Sequence, residues 1–485
     1  MTIDRIIKKI KENNPDADTD MLLLAYEFAE KAHQGQIRKN GEPYIEHSLH
    51  TAFMLAQIKT DMNTIIAGIL HDVPEDTERT LEEIEENFGH EVASLVEGIT
   101  KLSKIKYRGV ERYIESLKKM FLAMASDLRV ILIKFCDRLH NLRTLDSLPY
   151  KKQERIARET LEIYAPIAGL LGAWRLKWQM EDLCFKYLYP EEHKKIEFKY
   201  EIEKKTERNQ YINKIKQILG LELKKAGIEY QIEGRFKHLY SIYKKMEKKD
   251  RKFDEIHDVF ALRIITDSIT NCYKILGIVH TLWKPKANRI KDYIAVPKPN
   301  GYRSLHTTVF GPNGKTTEFQ IRTVEMNEEA HYGIAAHWHY KEKGAHAKQP
   351  KWIREILDVQ KAAENTNDFI KKIKFDIFQN RIFVFSPKGD VFELPERSTP
   401  IDFAYRVHTE VGNKTVGALI NDKIATLDQE LKNGDIVEII TEKNRKGPNK
   451  DWLKFVKTNH AKEKIKQNAL TTNNVNNLKR FFPRN

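Results

Sequence analysis

Four residues in the first third of the chain are suited to binding a divalent metal ion. They are His47, the adjacent pair His71 and Asp72, and Asp137. Imidazole and carboxylate together fit manganese, iron or zinc, and the oxygen content favours Mn(II). Adjacent helical residues point about 100° apart, so His71 and Asp72 share a metal only if other helices supply the remaining ligands, for which His47 and Asp137 are the candidates. The alternative is structural, because a lone His-Asp pair is more often a cap or a core histidine.

Two further carboxylates follow this pair. Glu75 and Asp76 come directly after Pro74. A metal ion lowers the pKa of bound water, and a nearby carboxylate can orient that water or take its proton, so we predict this role for Glu75 and Asp76. Alternatively, they complement the charge at a helix N-terminus around Pro74, which would explain one carboxylate but not both beside the histidine.

A second set of residues, in the middle of the chain, is suited to binding phosphate. The segment 234–238 ends a predicted strand and opens a predicted helix that carries Ser241 and Lys245. Its glycine permits close approach of a phosphate, which Arg and Lys can bind near a helix N-terminus. Asp258 and Glu318 lie on two predicted strands, and such a carboxylate pair predicts a Mg(II) site for phosphoryl-type transfer.

Tyr302 lies among basic and amide residues, between the segment 289–298 and His306. A tyrosine flanked by such groups can stack on a purine while its neighbours bind phosphates. The alternative is an ordinary strand and turn with a core tyrosine. For Tyr302 taken alone, the structural alternative is the better interpretation.

The sequence predicts that helices position the candidate metal ligands and that an α/β fold positions the candidate phosphate-binding residues. Apolar residues recur three and four apart from about Asp20 to Leu145, and Lys- and Glu-rich helical sequence continues over 150–225 as a connector. Strands and helices alternate after Gly227, which predicts an α/β domain. The predicted strands are 228–232, 259–265, 304–310 and 316–322, and the predicted helices are 237–249, 272–282 and 324–343. The last two strands flank Gly311-Pro312-Asn313-Gly314 and are predicted to form a hairpin.

A third, small mixed fold is predicted over residues 381–440. Its strands are 382–386, 391–394 and 436–441, and a single helix is predicted near Ile401 to Val411. From Thr471 on, the chain is Asn-rich and basic, which predicts loose order.

Length and composition favour a multidomain protein that acts on anions. The 485 residues predict about three domains, and 41% hydrophobic with 31% charged residues is typical of globular proteins. We expect a soluble cytoplasmic protein, because no apolar run approaches roughly 18 residues and the N-terminus lacks a secretory pattern. The net charge of +14 favours nucleotides or RNA as partners, although Lys-rich faces also serve solubility alone. Cys136, Cys184 and Cys272 match no metal spacing and are predicted to be buried thiols.

Four segments of the helical region resemble the hydrolase domain of the RelA/SpoT homologues, the bifunctional (p)ppGpp synthetase/hydrolases. These segments are 33–39, 41–47, 70–77 and 137–144. The resemblance implies an all-α HD-type domain in which Mn(II) is bound by His47, His71, Asp72 and Asp137, water is activated by Glu75 and Asp76, and the nucleotide is held by Arg38, Lys39, Asn141 and Thr144. Pro74 departs from the family's usual Val or Ile, and Gly169-Leu170 replaces a polar pair in the connector.

The central region resembles the α/β nucleotidyltransferase-like synthetase domain of the same family, which transfers pyrophosphate from ATP to the 3′-hydroxyl of GDP or GTP. The resemblance implies ATP binding by Arg235, Lys237, Ser241 and Lys245, Mg(II) binding by Asp258 and Glu318, with Glu318 also catalytic, and guanine stacking on Tyr302 near Lys298, Asn300 and His306. Arg289 and Lys291 form the basic motif of bifunctional members and are expected to bind nucleotide.

Residues 381–442 resemble a TGS domain, a small β-grasp module. In this family the module senses uncharged tRNA, and His408 matches the residue that meets the tRNA 3′ end. Because the chain ends at Asn485, amino-acid sensing through an ACT domain is not expected, and coupling to the ribosome stays open.

The sequence thus predicts a bifunctional alarmone enzyme of the stringent response. Its predicted parts are an HD phosphohydrolase domain (1–150), a helical connector (151–225), a synthetase domain (226–345), a helical linker (346–380), a TGS domain (381–442) and a basic tail (443–485). The alternatives are a hydrolase whose synthetase fold is only regulatory, and a non-catalytic regulator that binds RNA or the ribosome.

Overall fold

The computed structural model divides the chain into two compact units, Met1–Gln349 and Pro350–Asn485. The residues that the structure describes are 1–103, 119–120, 123, 126–204, 207–235, 238–249, 260–287, 289–298, 301–332, 381–432, 434–445, 447–458 and 460–468.

The N-terminal part of the first unit is helical, as predicted. Its helices are α1 (Ile3–Asn13), α2 (Asp20–Ala32), α3 (Ile45–Gln57), α4 (Met62–Leu70), α5 (Val73–Asp76), α6 (Leu81–Phe88), α7 (His90–Ser103) and α8 (Leu128–Arg143). Short polar side chains start several of them: Asp61 accepts from the Thr64 N–H at 3.0 Å, and Thr80 forms a capping box at α6. Helix α4 is apolar around most of its circumference and is buried against α2, α3 and α7.

The predicted connector is also helical. It contains α9 (Tyr150–Glu159), a π-helical turn (Thr160–Tyr164), α10 (Ala165–Leu170), α11 (Trp174–Leu188), α12 (Pro190–Lys204) and α13 (Glu207–Lys225). A 3₁₀ turn (Leu145–Ser147) precedes α9. Helix α11 packs against α8 on one side and against two helices of the following α/β part on the other. The connector therefore touches both predicted catalytic regions.

The α/β part is built on a five-stranded mixed sheet of order β1-β2-β5-β4-β3. The elements are β1 (Tyr230–Arg235), α14 (Leu239–Lys249), β2 (Phe260–Thr266), α15 (Ile269–Leu282), β3 (Lys291–Asp292), β4 (Leu305–Phe310), a 3₁₀ turn (Pro312–Gly314), β5 (Thr316–Thr323) and α16 (Val324–Tyr332). Strands β4 and β5 pair antiparallel with Thr308 opposite Glu318, which confirms the predicted hairpin. Strands β2 and β5 pair in parallel, with Ala261 opposite Glu318. Helices α13 and α15 bury their apolar faces on this sheet.

Strand β1 begins two residues later than predicted, and the reason is local. The Ile228 N–H bonds to the Leu223 carbonyl at 3.0 Å, and the Gly227 N–H to that of Lys224 at 3.1 Å. Gly227 has a φ of 64°. These bonds form a Schellman cap on α13, so Ile228 ends the helix instead of opening the strand.

The second unit is a small mixed fold, as predicted. It contains β6 (Arg381–Phe385), β7 (Val391–Pro395), α17 (Pro400–Val407), α18 (Thr409–Lys414), β8 (Thr415–Ile420), β9 (Lys423–Ala425), β10 (Val437–Thr441) and a 3₁₀ turn (Lys450–Lys454). The prediction of one helix from Ile401 to Val411 is wrong. His408 is extended, with φ −166° and ψ 146°, and its Nδ1 accepts the Glu410 N–H, so it caps a second helix. Strands β8 and β9 were not predicted.

The described residues also test the predictions about membrane-spanning helices and cysteines. Among them, no helix combines the length and apolar character needed to cross a bilayer. Cys136, Cys184 and Cys272 are free and buried, which confirms the prediction of buried thiols.

Candidate functional site

Three helical segments bring the predicted metal ligands together. Helix α3 carries His47, the junction of α4 and α5 carries His71 and Asp72, and α8 carries Asp137. Ligand atoms of His47, His71 and Asp137 all lie within 4.8 Å of one another, and all three side chains are buried. His47 Nε2 is 3.3 Å from Asp137 Oδ1 and 3.4 Å from Asp72 Oδ2.

Each of the two imidazoles, of His47 and His71, has a hydrogen-bond partner at its Nδ1 atom. The Nδ1 atom of His71 is 2.9 Å from the Gly68 carbonyl, so Nδ1 carries the proton and the Nε2 lone pair points inward, 3.2 Å from Asp72 Oδ1. The Nδ1 atom of His47 is 2.7 Å from Nδ1 of His140. Metal-binding histidines are held in this way by an outer hydrogen bond. The inward nitrogens and carboxylate oxygens fit a divalent cation of borderline or hard character.

A partly buried lysine lies beside this cluster. Lys134 Nζ is 2.7 Å from Asp137 Oδ2. Burial alone would raise the pKa of Asp137, but the Lys134 ammonium and the neighbouring His47 hold that pKa well below its ordinary value. Burial lowers the pKa of His47. The aspartate is therefore ionised and the histidine neutral, as metal ligands must be.

Tyr44 connects the cluster to the predicted water-handling residues. Its hydroxyl is 3.2 Å from Asp72 Oδ2 and 2.5 Å from Asp76 Oδ2, so its single proton lies between two carboxylate acceptors. Burial, followed by the charge of Asp72, raises the pKa of Tyr44. Asp76 is exposed and Glu75 partly buried, both on the single turn α5. Pro74 lies at the start of this turn, where no N–H is needed, so the turn forms normally.

The predicted nucleotide-binding residues lie at the rim of the same cluster. Arg38 Nη2 donates to Asn141 Oδ1 at 2.6 Å, and Asn141 in turn donates to Asp137. Lys39 is exposed, and Thr144 caps the end of α8. The structure thus brings Arg38 and Asn141 together beside Asp137, a predicted metal ligand.

Sequence reasoning missed Tyr44, Lys134 and His140. Helical spacing was the available signal for two of them, because Lys134 and His140 lie three residues either side of Asp137 and share its face of α8. Tyr44 precedes His47 by three residues, but its contact with Asp76 depends on how α5 folds back.

A cavity of about 610 Å³ lies in the α/β part. The predicted residues Lys298, Tyr302 and His306 line it, together with two residues that share a face of β5 with Glu318, namely Gln320 and Arg322. This volume is in the range of small-ligand sites.

The lining residues of this cavity form a connected polar group. Tyr302 Oη is 2.9 Å from His306 Nε2, and Lys298 Nζ lies 5.1 Å from the centre of the Tyr302 ring. His306 Nδ1 is 3.7 Å from Glu318 Oε1, which also accepts from Gln320 at 2.8 Å. An aromatic ring, an ammonium group, an imidazole and a carboxylate are therefore connected here, and such groups are suited to binding a purine nucleotide and its phosphates.

Other predicted synthetase residues are not part of this lining. Arg289 and Lys291 are exposed on or beside the edge strand β3, and Ser241 and Lys245 lie farther along α14. Arg235 lies in β1. Lys237, Asp258 and Asn300 lie outside the described residues.

The connector forms one wall of the cavity, which sequence reasoning did not anticipate. On α11, Trp178 stacks on His238 with ring centres 5.1 Å apart and planes within 4°. Asp182 accepts the Tyr240 N–H at 3.0 Å, near the start of α14. Burial raises the pKa of Asp182 to about 6.

The three regions match known families. Residues 25–174 match the family described as HD domain, residues 234–345 the region found in RelA / SpoT proteins, and residues 382–441 the TGS domain. The chain thus combines a helical HD domain, an α/β region found in RelA / SpoT proteins and a TGS domain, which confirms the predicted fold class.

Curated relatives match nearly the whole chain. It is 47% identical over 465 residues to a GTP pyrophosphokinase of Myxococcus xanthus, covering 94% of this chain and 61% of that one. It is 47% identical over 473 residues to a guanosine-3′,5′-bis(diphosphate) 3′-pyrophosphohydrolase of Aquifex aeolicus (96% and 67%). It is 46% identical over 461 residues to the bifunctional (p)ppGpp synthase/hydrolase SpoT of Escherichia coli (93% and 65%). The chain belongs to the RelA/SpoT homologue family, and it spans about three fifths of the length of the first of these relatives.

Proposed function

We propose that the protein is a bifunctional alarmone enzyme. It hydrolyses (p)ppGpp to GDP or GTP and pyrophosphate, and it transfers pyrophosphate from ATP to the 3′-hydroxyl of GDP or GTP. The observation that carries this proposal is the presence, in one chain, of the buried His47, His71 and Asp137 cluster and of the cavity around Tyr302. The relatives named for each activity support it.

In the hydrolytic site, His47, His71, Asp72 and Asp137 hold the metal, which we propose to be Mn(II) because the set is half imidazole and half carboxylate. A bound cation of this kind lowers the pKa of water and neutralises phosphate oxygens. Glu75 and Asp76 orient the attacking water and accept its proton, and Tyr44 fixes the position of Asp76. The bond that breaks joins the 3′-oxygen of the nucleotide to its pyrophosphate.

The cationic rim binds the nucleotide. Arg38 donates through two nitrogens held by α8, and Lys39 is exposed beside it. Together with Asn141 and Thr144 they bind phosphate and ribose oxygens. Charge-assisted contacts of this type orient the leaving pyrophosphate.

In the synthetic site, we propose that Tyr302 stacks on guanine and that Lys298 and His306 bind the acceptor nucleotide. Glu318 and Asp258 hold Mg(II), whose charge offsets that of the triphosphate. Arg235, Lys237, Ser241 and Lys245 bind ATP, with Arg289, Lys291 and Asn300 as further nucleotide contacts. Positioning and charge neutralisation are the main contributions the protein makes to such a transfer.

The β-grasp unit is proposed to bind the 3′ end of uncharged tRNA through His408, whose side chain is exposed between α17 and α18. We place the protein in the cytoplasm, where these nucleotides occur. The TGS match and the exposure of His408 support the tRNA role.

A pair of assays tests the proposal. The purified protein is incubated with ppGpp and Mn(II), and separately with ATP, GDP and Mg(II), and the nucleotides are separated by chromatography. We expect GDP and pyrophosphate in the first mixture and ppGpp in the second. Turnover in the first mixture alone would support the hydrolase-only alternative, and turnover in neither would leave the non-catalytic regulator as the better account.

A further inference from the structure

His140 occupies the space between the metal ligands and the nucleotide-binding rim. It lies on α8, one turn after Asp137, and is 3% exposed. Its Nδ1 atom is 2.7 Å from His47 Nδ1 and 3.1 Å from Arg38 Nη1. One nitrogen of one imidazole is therefore in contact with both a proposed metal ligand and a proposed nucleotide ligand.

The direction of these hydrogen bonds follows from the chemistry of arginine. A guanidinium has only donors, so Arg38 makes Nδ1 of His140 an acceptor. Since this nitrogen then carries no proton, the proton between the two histidines lies on Nδ1 of His47. A neutral His47 with its proton on Nδ1 presents its Nε2 lone pair to Asp72 and Asp137, which is the form that binds a metal ion.

The ring of His140 is itself held on a second side. His50, one turn after His47 on α3, stacks on it with ring centres 4.6 Å apart and planes within 19°. Arg38 is held by the next residue of α8 as well, because its other nitrogen donates to Asn141. The arginine and the metal ligand are thus positioned by two consecutive residues of one helix.

We propose that His140 is a positioning residue that fixes the tautomer of His47 and the place of Arg38, so that metal binding and nucleotide binding depend on one acceptor atom. This inference rests on the proposed hydrolytic function and deepens it. It makes Nδ1, and not the bulk of the ring, the essential feature of His140.

Two isosteric substitutions separate these features. In His140→Asn the side-chain oxygen can occupy the position of Nδ1 and accept both bonds, whereas in His140→Gln the amide reaches the position of Nε2 instead. Mn(II) affinity is measured by calorimetry without nucleotide. Loss of an outer partner of a metal-binding histidine typically weakens affinity about 10–100-fold, and we expect this of His140→Gln and of His140→Leu, with His140→Asn near the unsubstituted protein.

Controls keep the result interpretable. His90→Gln changes an exposed histidine whose Nδ1 atom lies 2.9 Å from Glu85 Oε1, far from the proposed site residues in the chain, and this variant is expected to bind Mn(II) normally. Synthesis of ppGpp by the same preparations reports whether each variant has folded. Normal Mn(II) affinity in His140→Gln and His140→Leu, or an equal loss in His140→Asn, would overturn the inference. If the unsubstituted protein binds Mn(II) but does not hydrolyse ppGpp, the proposed function fails while this affinity pattern is still tested.

The proposed effect of His140 on nucleotide binding is tested separately, through KM for ppGpp. Arg38→Ala is expected to raise KM for ppGpp, and so is His140→Gln, because each loosens the same guanidinium. Combined, the two changes should raise KM no further than Arg38→Ala alone, since residues in one network are not additive. Independent effects on KM would contradict the shared role of His140.

Discussion

The hydroxyl of Tyr44 offers a test of how the hydrolytic site is organised. It bridges Asp72, a proposed metal ligand, and Asp76, a proposed water-orienting group. Tyr44→Phe removes only this oxygen. The ring should stay in place, because it stacks on His33 with centres 4.7 Å apart and planes within 15°.

The expected loss follows from the one proton that this hydroxyl can donate. A bond to a charged group contributes about 1.5–3 kcal/mol to stability. Asp76 is exposed, so water can replace the hydroxyl there at little cost, whereas Asp72 is partly buried. We therefore count one bond at its lower value, about 1.5 kcal/mol, which corresponds to roughly a tenfold fall in kcat for hydrolysis.

The assay is steady-state hydrolysis of ppGpp, with synthesis by the same protein as an internal reference. Tyr26→Phe is the matched control, because the Tyr26 hydroxyl also donates to a carboxylate, that of Glu30, but at the surface. We expect Tyr44→Phe to lower kcat for hydrolysis and to leave synthesis unchanged. An unchanged kcat, or an equal loss in Tyr26→Phe, would refute the bridging role.

Three further predictions concern stability. Burial raises the pKa of Asp182 from 3.8 to about 6, so its ionised form destabilises the fold. As pH rises from 4 through 6 and above, Asp182→Asn should therefore become more stable than the unsubstituted protein, by up to about 3 kcal/mol in the free energy of unfolding. Thermal melts of the two proteins across this pH range measure the difference. Asp402 is 1% exposed and accepts the backbone N–H groups of Thr399, in the preceding turn, and of Lys457, far along the chain. Asp402→Ala should therefore destabilise that unit by about 3 kcal/mol, measured by hydrogen exchange. An alanine Cβ at Gly412 would lie 2.4 Å from the ring of Tyr405, so Gly412→Ala should lower the free energy of unfolding by about 1–3 kcal/mol. An alanine Cβ at Gly277 would have nothing within 4 Å, so Gly277→Ala should stabilise α15 by about 0.5–1 kcal/mol.

Much of the fold could be predicted because its signals are local. Apolar spacing indicated the helices that carry His47 and Asp137, and the turn at Gly311 indicated the hairpin that carries Glu318. The errors arose where one side chain competes with periodicity. His408 caps a helix that the apolar pattern alone would continue, and Ile228 completes a helix cap although it is a strong strand former.

The residue types of the candidate site could be predicted from the sequence, but the contacts between its side chains could not. Residue chemistry made His71 and Asp137 candidate metal ligands, although such a pair alone is more often structural, and the resemblance to the RelA/SpoT homologues favoured the metal site. Tyr44 and His140 act through contacts with residues far along the chain, and a sequence carries no direct record of such contacts. The wall that α11 contributes to the cavity could not be predicted either, because it depends on how the connector packs.

The central claim is that two separate sites in one chain catalyse opposing reactions. The most direct measurement compares both activities in His71→Ala and in Glu318→Gln. His71→Ala should abolish Mn(II)-dependent hydrolysis of ppGpp and keep synthesis from ATP and GDP, and Glu318→Gln should do the reverse. If hydrolysis survives His71→Ala, or if each substitution removes both activities in folded protein, the assignment of two independent sites is contradicted.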